Sequence, residues 1–280
     1  MQTIEQTLKT ARLRLADAES ESPRVDAEIL LCHVLGKPRA HLLAWPERMV
    51  PSEAGAAFEA LIERRVAGEP VAYLTGSRGF YGLDLAVSSS VLIPRPETEL
   101  LVDAVLARLP ARPCALADLG TGSGAIALAV AHERPDAEVT AVDASEEALA
   151  VARANAGRLG LDRVRFRHGD WCAGLGEDSR FDVIVSNPPY IRADDPHLAR
   201  GDVRFEPAMA LASGADGLDA IRAILACAPA HLEPGGWLLF EHGYDQASDV
   251  AALMRAAGLS AVESLTDLLG HGRVTLGRLT

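Results

Sequence analysis

From the N-terminus to about Tyr73 the apolar positions follow a helical period. Ile4, Leu8, Ala11 and Leu15 share one face, and Ala27, Leu30, Leu31 and Val34 share a face of the next segment. Gly36-Lys37-Pro38, Trp45-Pro46 and Val50-Pro51 interrupt the pattern. A further helix is predicted over 52–66, with Ser52 as N-cap and Gly68 just past its end. His33 and His41 read as ordinary members of these helices. Between Tyr73 and Arg95 the period shortens, and glycine-flanked runs at 83–87 and 91–93 predict a hairpin. Pro96 and the acidic residues after it open a helix predicted over 97–109.

From Cys114 onward, short β-branched apolar runs alternate with helical segments. Strands are predicted at 115–119, 138–142, 164–167, 181–185 and 237–241, with helices at 125–132, 145–159, 218–231 and 245–257. Such alternation predicts a parallel sheet with helices on both faces. The last two runs, 259–265 and 273–279, are separated only by the turn 267–272. So short a link requires an antiparallel pair. The chain therefore reads as a helical domain over 1–73, a hairpin linker over 74–95 and an α/β domain over 96–280.

Composition narrows the classes. At 280 residues, 49% hydrophobic and 24% charged, the chain has the make-up of a soluble globular protein with a substantial core. The net charge of −12, from 27 Lys+Arg against 39 Asp+Glu, disfavours a protein that grips duplex nucleic acid through its phosphates. Cys32, Cys114, Cys172 and Cys227 show no Cys-x-x-Cys spacing and no accompanying His at metal-ligand spacing, so no metal is expected. They read as reduced core residues of a cytoplasmic protein. No signal peptide or membrane-spanning run is evident.

The candidate chemistry lies at the ends of the predicted strands. Gly120-Thr121-Gly122-Ser123-Gly124 follows the first strand of the α/β domain and opens a helix, so its backbone can approach a ligand closely. No Gly-Lys-Ser/Thr follows, which excludes a phosphate-gripping P-loop. Gly120-x-Gly122-x-x-Ala125, with Asp143 ending the next strand, fits a loose dinucleotide-type fingerprint. Asp143 can accept from both hydroxyls of a ribose. That much suits a nicotinamide enzyme or one that uses S-adenosyl-L-methionine. Asp170-Trp171 ends the third strand, where Asp170 can accept from an adenine amino group and Trp171 can stack on or donate to the base. After the fourth strand comes Ser186-Asn187-Pro188-Pro189-Tyr190. Two prolines stiffen the exit and leave Asn187 at the carboxyl end of the sheet, where ligands bind in open α/β folds. The Asn187 side-chain oxygen and the Pro188 carbonyl can accept both N–H bonds of a planar NH2 group, and the Tyr190 ring can cover its face. A nicotinamide enzyme has no need of this corner, whereas an enzyme methylating an amino or amide group does.

With these motifs in place, the chain resembles the protein-(glutamine-N5) methyltransferases that modify peptide chain release factors. The resemblance rests on Leu92-Ile93-Pro94-Arg95-Pro96-Glu97-Thr98-Glu99, Asp118-Leu119-Gly120-Thr121-Gly122-Ser123-Gly124, Ser186-Asn187-Pro188-Pro189-Tyr190, Asp202-Val203-Arg204-Phe205-Glu206-Pro207 and Arg273-Val274-Thr275-Leu276-Gly277, and spans essentially the whole chain. The family often carries an acid at the position of Gly79, before Phe80, so this chain departs from the pattern there. The resemblance implies a seven-stranded Rossmann-like, S-adenosyl-L-methionine-dependent methyltransferase domain with a small all-helical N-terminal domain that docks substrate. It implies methyl transfer to the glutamine nitrogen of a Gly-Gly-Gln motif in release factors, with no membrane and no direct nucleic-acid partner. Asn187, Pro188 and Tyr190 would be catalytic, and Gly120, Thr121, Gly122, Ser123, Gly124, Asp143, Asp170, Trp171 and Asn187 would hold the cofactor. Phe80, Arg95 and Glu97 would wall the glutamine pocket together with Asn187, Pro188, Pro189 and Tyr190. Three alternatives stay open: an adenine-N6 nucleic-acid methyltransferase, a ribosomal-protein glutamine methyltransferase and a nonenzymatic binding module.

Overall fold

The computed structural model describes residues 2–280. The chain divides into two units, one running to Ser77 and including Arg200–Phe205, the other formed by Arg78–Ala199 and Glu206–Thr280.

The first unit is helical: α1 (Ile4–Asp17), α2 (Pro23–Leu35), α3 (Arg39–Ala44), α4 (Ser52–Val66) and α5 (Val71–Thr75). The predicted stripes are its core. Ile4, Ala11, Leu15, Leu30 and Leu31 are buried with Phe58 and Ile62 of α4. Helix α1 starts at a reciprocal capping box, in which the Thr3 hydroxyl accepts from the Gln6 N–H and the Gln6 side chain accepts from the Thr3 N–H. Helix α4 spans the predicted 52–66, with Pro51 rather than Ser52 as its N-cap. Arg65 of α4 bonds Asp26 at 2.8 Å and Asp202 at 2.7 Å, which ties the segment 200–205 to this unit.

The second unit opens with a hairpin of β1 (Ser77–Phe80) and β2 (Leu83–Ala86). The predicted strand at 91–93 does not form. This segment bends at Val91 and has no regular structure, and the Ile93 N–H donates to the Glu206 carboxylate at 3.1 Å instead of to a neighbouring strand. The rest alternates as expected: α6 (Thr98–Leu106), β3 (Cys114–Leu119), α7 (Ala125–Glu133), β4 (Ala137–Asp143), α8 (Glu146–Leu159), β5 (Arg165–His168), β6 (Phe181–Ser186), α9 (Asp219–Cys227), β7 (Leu232–Glu241), α10 (Ala247–Ala256), β8 (Ser260–Thr266) and β9 (Gly272–Arg278). Helix α9 stops at Cys227 because Pro229 cannot continue the α-helical bonding, and a 3-10 turn follows. The sheet order is β5-β4-β3-β6-β7-β9-β8, with only β9 antiparallel to its neighbours.

Alternation along the strands fills two cores. Leu116, Val183 and Leu239 meet α6 and α7 on one face, while Ala117, Ile184 and Leu238 meet α9 and α10 on the other. The second core also corrects the cysteine expectation. Cys172, in the turn after β5, and Cys227, at the end of α9, form a disulfide with Cα atoms 6.1 Å apart, whereas Cys32 and Cys114 are free. Their separation of 55 residues carries no pairing signal, and only the packing of both on one sheet face brings them together. Among the described residues no helix is long and apolar enough to cross a membrane.

Candidate active site

The strand order reverses between β3 and β6, with β4 and β5 to one side and β7 to the other, so the carboxyl ends of these strands open onto a cleft. The glycine turn after β3 is stitched to the next strand. Gly120 and Thr121 both donate their N–H to the Val142 carbonyl at 2.9 Å. Gly120, Gly122 and Gly124 have φ of 75°, 55° and 85°, which only glycine adopts without strain. A Cβ on Gly120 would stand 3.2 Å from the Trp171 ring, whereas one on Gly122 would meet nothing within 4 Å. Beneath the turn, the fully buried Asp118 accepts from the Thr121 hydroxyl at 2.7 Å and the Ala127 N–H at 3.2 Å. Burial pushes its pKa up to about 7, against the downward pull of those bonds.

Asp143 closes the same side. One carboxylate oxygen accepts from the Gly122 N–H at 2.8 Å, the other from the Ser145 N–H at 2.9 Å, and each retains a lone pair. Trp171 opens a 3-10 turn with φ of 47°, a backbone state rare for a bulky side chain.

On the other side Asn187 leaves β6. Its Nδ2 donates to the Thr98 hydroxyl, at the start of α6, over 3.3 Å, and its Oδ1 is buried without a partner. The register pairs Ser186 with Phe240, which brings Asn187 beside Glu241, the last residue of β7. Glu241 is 2% exposed, and one of its oxygens also lacks a partner. Burial raises its pKa to about 7, opposed by the Thr98 hydroxyl, Arg273 and the Asn187 amide. Asp118 Oδ1 is the third such atom. Among the described residues every buried side-chain polar atom without a partner lies at the end of β3, β6 or β7. Buried orphans are rare, and three at adjacent strand tips mark a place built for something to bind.

Thr121, Ser123, Gly120, Gly122 and Asp143 line the cleft, as do Asp170, Trp171, Asn187, Pro189 and Arg95. Gly124, Pro188, Tyr190, Phe80 and Glu97 lie outside its lining. Gly124 instead leaves room for Leu128 and Ala152, which a Cβ would touch at 3.0 and 3.3 Å. Phe80 is 2% exposed, packed in the core cluster that includes residues of α6. Glu97 is an exposed residue capping α6. Arg95 pairs with the buried Glu206, which makes it a strut of the Ile93-Pro94-Arg95 segment. The Tyr190 carbonyl accepts from Gln246 at 3.0 Å, and its phenol is pushed upward in pKa by burial and then by the Glu241 carboxylate. Thr98, Glu206 and Glu241 have no place among the predicted site residues. The first two stand inside quoted motifs, but Glu241 carries no local signal beyond ending an apolar strand.

Comparison with known proteins now bears on this geometry. Residues 6–76 match the family model of the PrmC N-terminal domain, and residues 96–203 that of the methyltransferase small domain. The chain is 56% identical over 266 residues to a release factor glutamine methyltransferase of Xylella fastidiosa, spanning 94% of this chain and 96% of that one. It is 54% identical over 278 residues to the release factor glutamine methyltransferase of Pseudomonas aeruginosa, spanning 99% of each. The chain belongs to the release factor glutamine methyltransferase family. The seven-stranded methyltransferase fold and the helical N-terminal domain expected from the resemblance are both met. A methyltransferase of Pyrococcus furiosus shares the fold at a TM-score of 0.53 and 21% identity, over 79% of this chain and 96% of that one. A T. thermophilus 16S rRNA methyltransferase solved with AdoMet and guanosine does so at 0.52 and 23%, over 73% of this chain and 50% of the other.

Proposed function

We propose that this protein methylates the side-chain amide nitrogen of the Gly-Gly-Gln glutamine in peptide chain release factors, with S-adenosyl-L-methionine as donor. The observation that carries the reading is the Asn187 Oδ1, an acceptor with no partner on a residue that lines the cleft beside the glycine turn. The donor fits the residues present. Gly122 offers open space, Asp143 retains lone pairs for two ribose hydroxyls, and Trp171 supplies an aromatic face. When bound there, the group supplies a methyl activated by a positive sulfur.

An amide nitrogen is a poor nucleophile because its lone pair is delocalised, so catalysis must come from placement and electrostatics. Asn187 Oδ1 and the Pro188 carbonyl accept the two amide N–H bonds and aim the nitrogen across the cleft. The dipoles of both carbonyls favour positive charge building on that nitrogen. Tyr190 stiffens the corner through its backbone bond to Gln246 and offers its ring to the amide plane. Two converging acceptors select an NH2 group over a hydroxyl or a carboxylate, neither of which can donate twice. The helical unit is the docking element in this reading, supported by Leu43, Trp45 and Met49, apolar side chains it leaves 62%, 41% and 52% exposed.

The test is direct. Purified protein with methyl-labelled S-adenosyl-L-methionine should label release factor and leave ribosomal protein and DNA unlabelled. Label on DNA alone would transfer the Asn-Pro-Pro-Tyr corner to adenine chemistry. A chain lacking residues before 78 should lose labelling of the whole release factor more than cofactor affinity.

A further inference from the structure

We propose that Glu241, acting through Thr98, is a positioning residue that sets which end of the Asn187 carboxamide faces the reacting group; the proposal rests on the function assigned above to Asn187. Three side chains from three elements converge here. Asn187 follows β6, Glu241 ends β7, and Thr98 begins α6 at 3% exposure. The Thr98 hydroxyl has one proton to give. An ionised carboxylate only accepts, so in this proposal Thr98 directs that proton to Glu241, which the β6–β7 register sets beside Asn187. The Thr98 oxygen is then left as an acceptor, and it takes the Asn187 Nδ2–H at 3.3 Å. The same register places the carboxylate next to Asn187. Both acceptors therefore demand the nitrogen end of the amide, and Oδ1 is left pointing elsewhere, buried and unpartnered. Donation from Nδ2 toward a negative group also polarises the amide and makes Oδ1 a stronger acceptor. A buried carboxylate with an unsatisfied oxygen is costly for the fold, and a directional role explains its presence.

The direction depends on charge. Protonated Glu241 can itself donate, the chain of bonds can reverse, and the amide can flip. The charged and titratable groups facing Glu241 are Arg273 of β9, which favours ionisation, Glu97 before α6, which opposes it, and the Tyr190 phenol. None of these supplies a second acceptor-only group to Nδ2.

The experiment compares Glu241→Gln, Thr98→Val and Thr98→Ser in the full chain, with release factor as substrate and S-adenosyl-L-methionine affinity and thermal melting as controls. Glu241→Gln and Thr98→Val are expected to lower kcat by about 10–100-fold with cofactor affinity held, and Thr98→Ser to restore it. The wild-type kcat should fall as pH drops below about 7, and Glu241→Gln should abolish that limb. In an Asn187→Ala background Glu241→Gln should add less than about threefold, because a group acting through Asn187 has nothing left to orient. Equal kcat and pH profile for all three variants, or independent multiplication of the two losses, would overturn the proposal. A readout without turnover decides the matter for any substrate. The Asn187 side-chain amide resonance, identified by its loss in Asn187→Asp, should shift with pH around 7 in the wild type and stay constant in Glu241→Gln. A resonance that ignores both pH and the substitution overturns the proposal. Absence of release-factor labelling by the wild type, with the resonance shifting as expected, would sink the assigned substrate and leave the positioning role intact.

Discussion

The two sides of the cleft are built on opposite terms. On the glycine-turn side Asp143, which lines the cleft, spends both oxygens on backbone N–H groups and still has lone pairs to offer, and the one orphaned oxygen, Asp118 Oδ1, lies beneath the turn. On the proline-corner side Asn187 Oδ1 and a Glu241 oxygen are buried and left without partners. The first side is a shaped receptacle that exists whether or not anything fills it. The second holds desolvated acceptors in wait, which costs stability and gains directional force when a donor arrives. Binding and transfer thus draw on different physical resources within one sheet edge.

The largest expected effect strikes the waiting side. Asn187→Ala should reduce labelling of release factor by roughly 10²–10³, the usual loss on removing one preorganised partner, a far larger loss than any in cofactor affinity by calorimetry. If turnover survives, the contrast between the two sides is broken. The cost of the waiting side is the next target. Glu241 has an ordinary carboxyl pKa near 4.5 and a folded value of about 7. Between these values the folded protein holds the proton more tightly than the unfolded chain, so stability falls as pH rises through that window. The difference amounts to on the order of 3 kcal/mol. Urea unfolding of Glu241→Gln should show a shallower decline from pH 5 to pH 8 than the wild type, while Asp118, shifted the same way, continues to contribute in both.

On the receptacle side the effects should be smaller and should fall on binding. Asp143→Ala is expected to weaken S-adenosyl-L-methionine by about 10–100-fold, through loss of charge-assisted bonds both to ligand and to Gly122. Unchanged affinity would deny the ribose assignment. Smallest is Gly120→Ala, which must hold a positive φ and push a Cβ against Trp171. It should cost about 1–2 kcal/mol of folding stability, visible in thermal melts, and quench or shift Trp171 fluorescence.

Much of this was legible in one dimension. The helical stripes, the strand–helix alternation and the terminal antiparallel pair follow from periodicity and loop length, which are local properties of the chain. The glycine turn, Asp143, Asp170-Trp171 and Asn187 could be placed because each ends a strand, and strand ends of one parallel sheet share an edge. The burial of Phe80 was not legible because which way a hairpin aromatic faces is settled by packing, and Val91-Leu92-Ile93 forms no strand because an apolar run finds a strand partner only if the fold offers one.

The amino-acid order by itself determined which elements form, that the sheet is wound in alternation, and which family chemistry the strand tips carry. Only the tertiary structure decided that Cys172 meets Cys227, that Glu206 braces Arg95 and that Glu241 stands behind Asn187. Each of those contacts joins residues far apart in the chain, and nothing local records a partner that only the register of distant strands supplies.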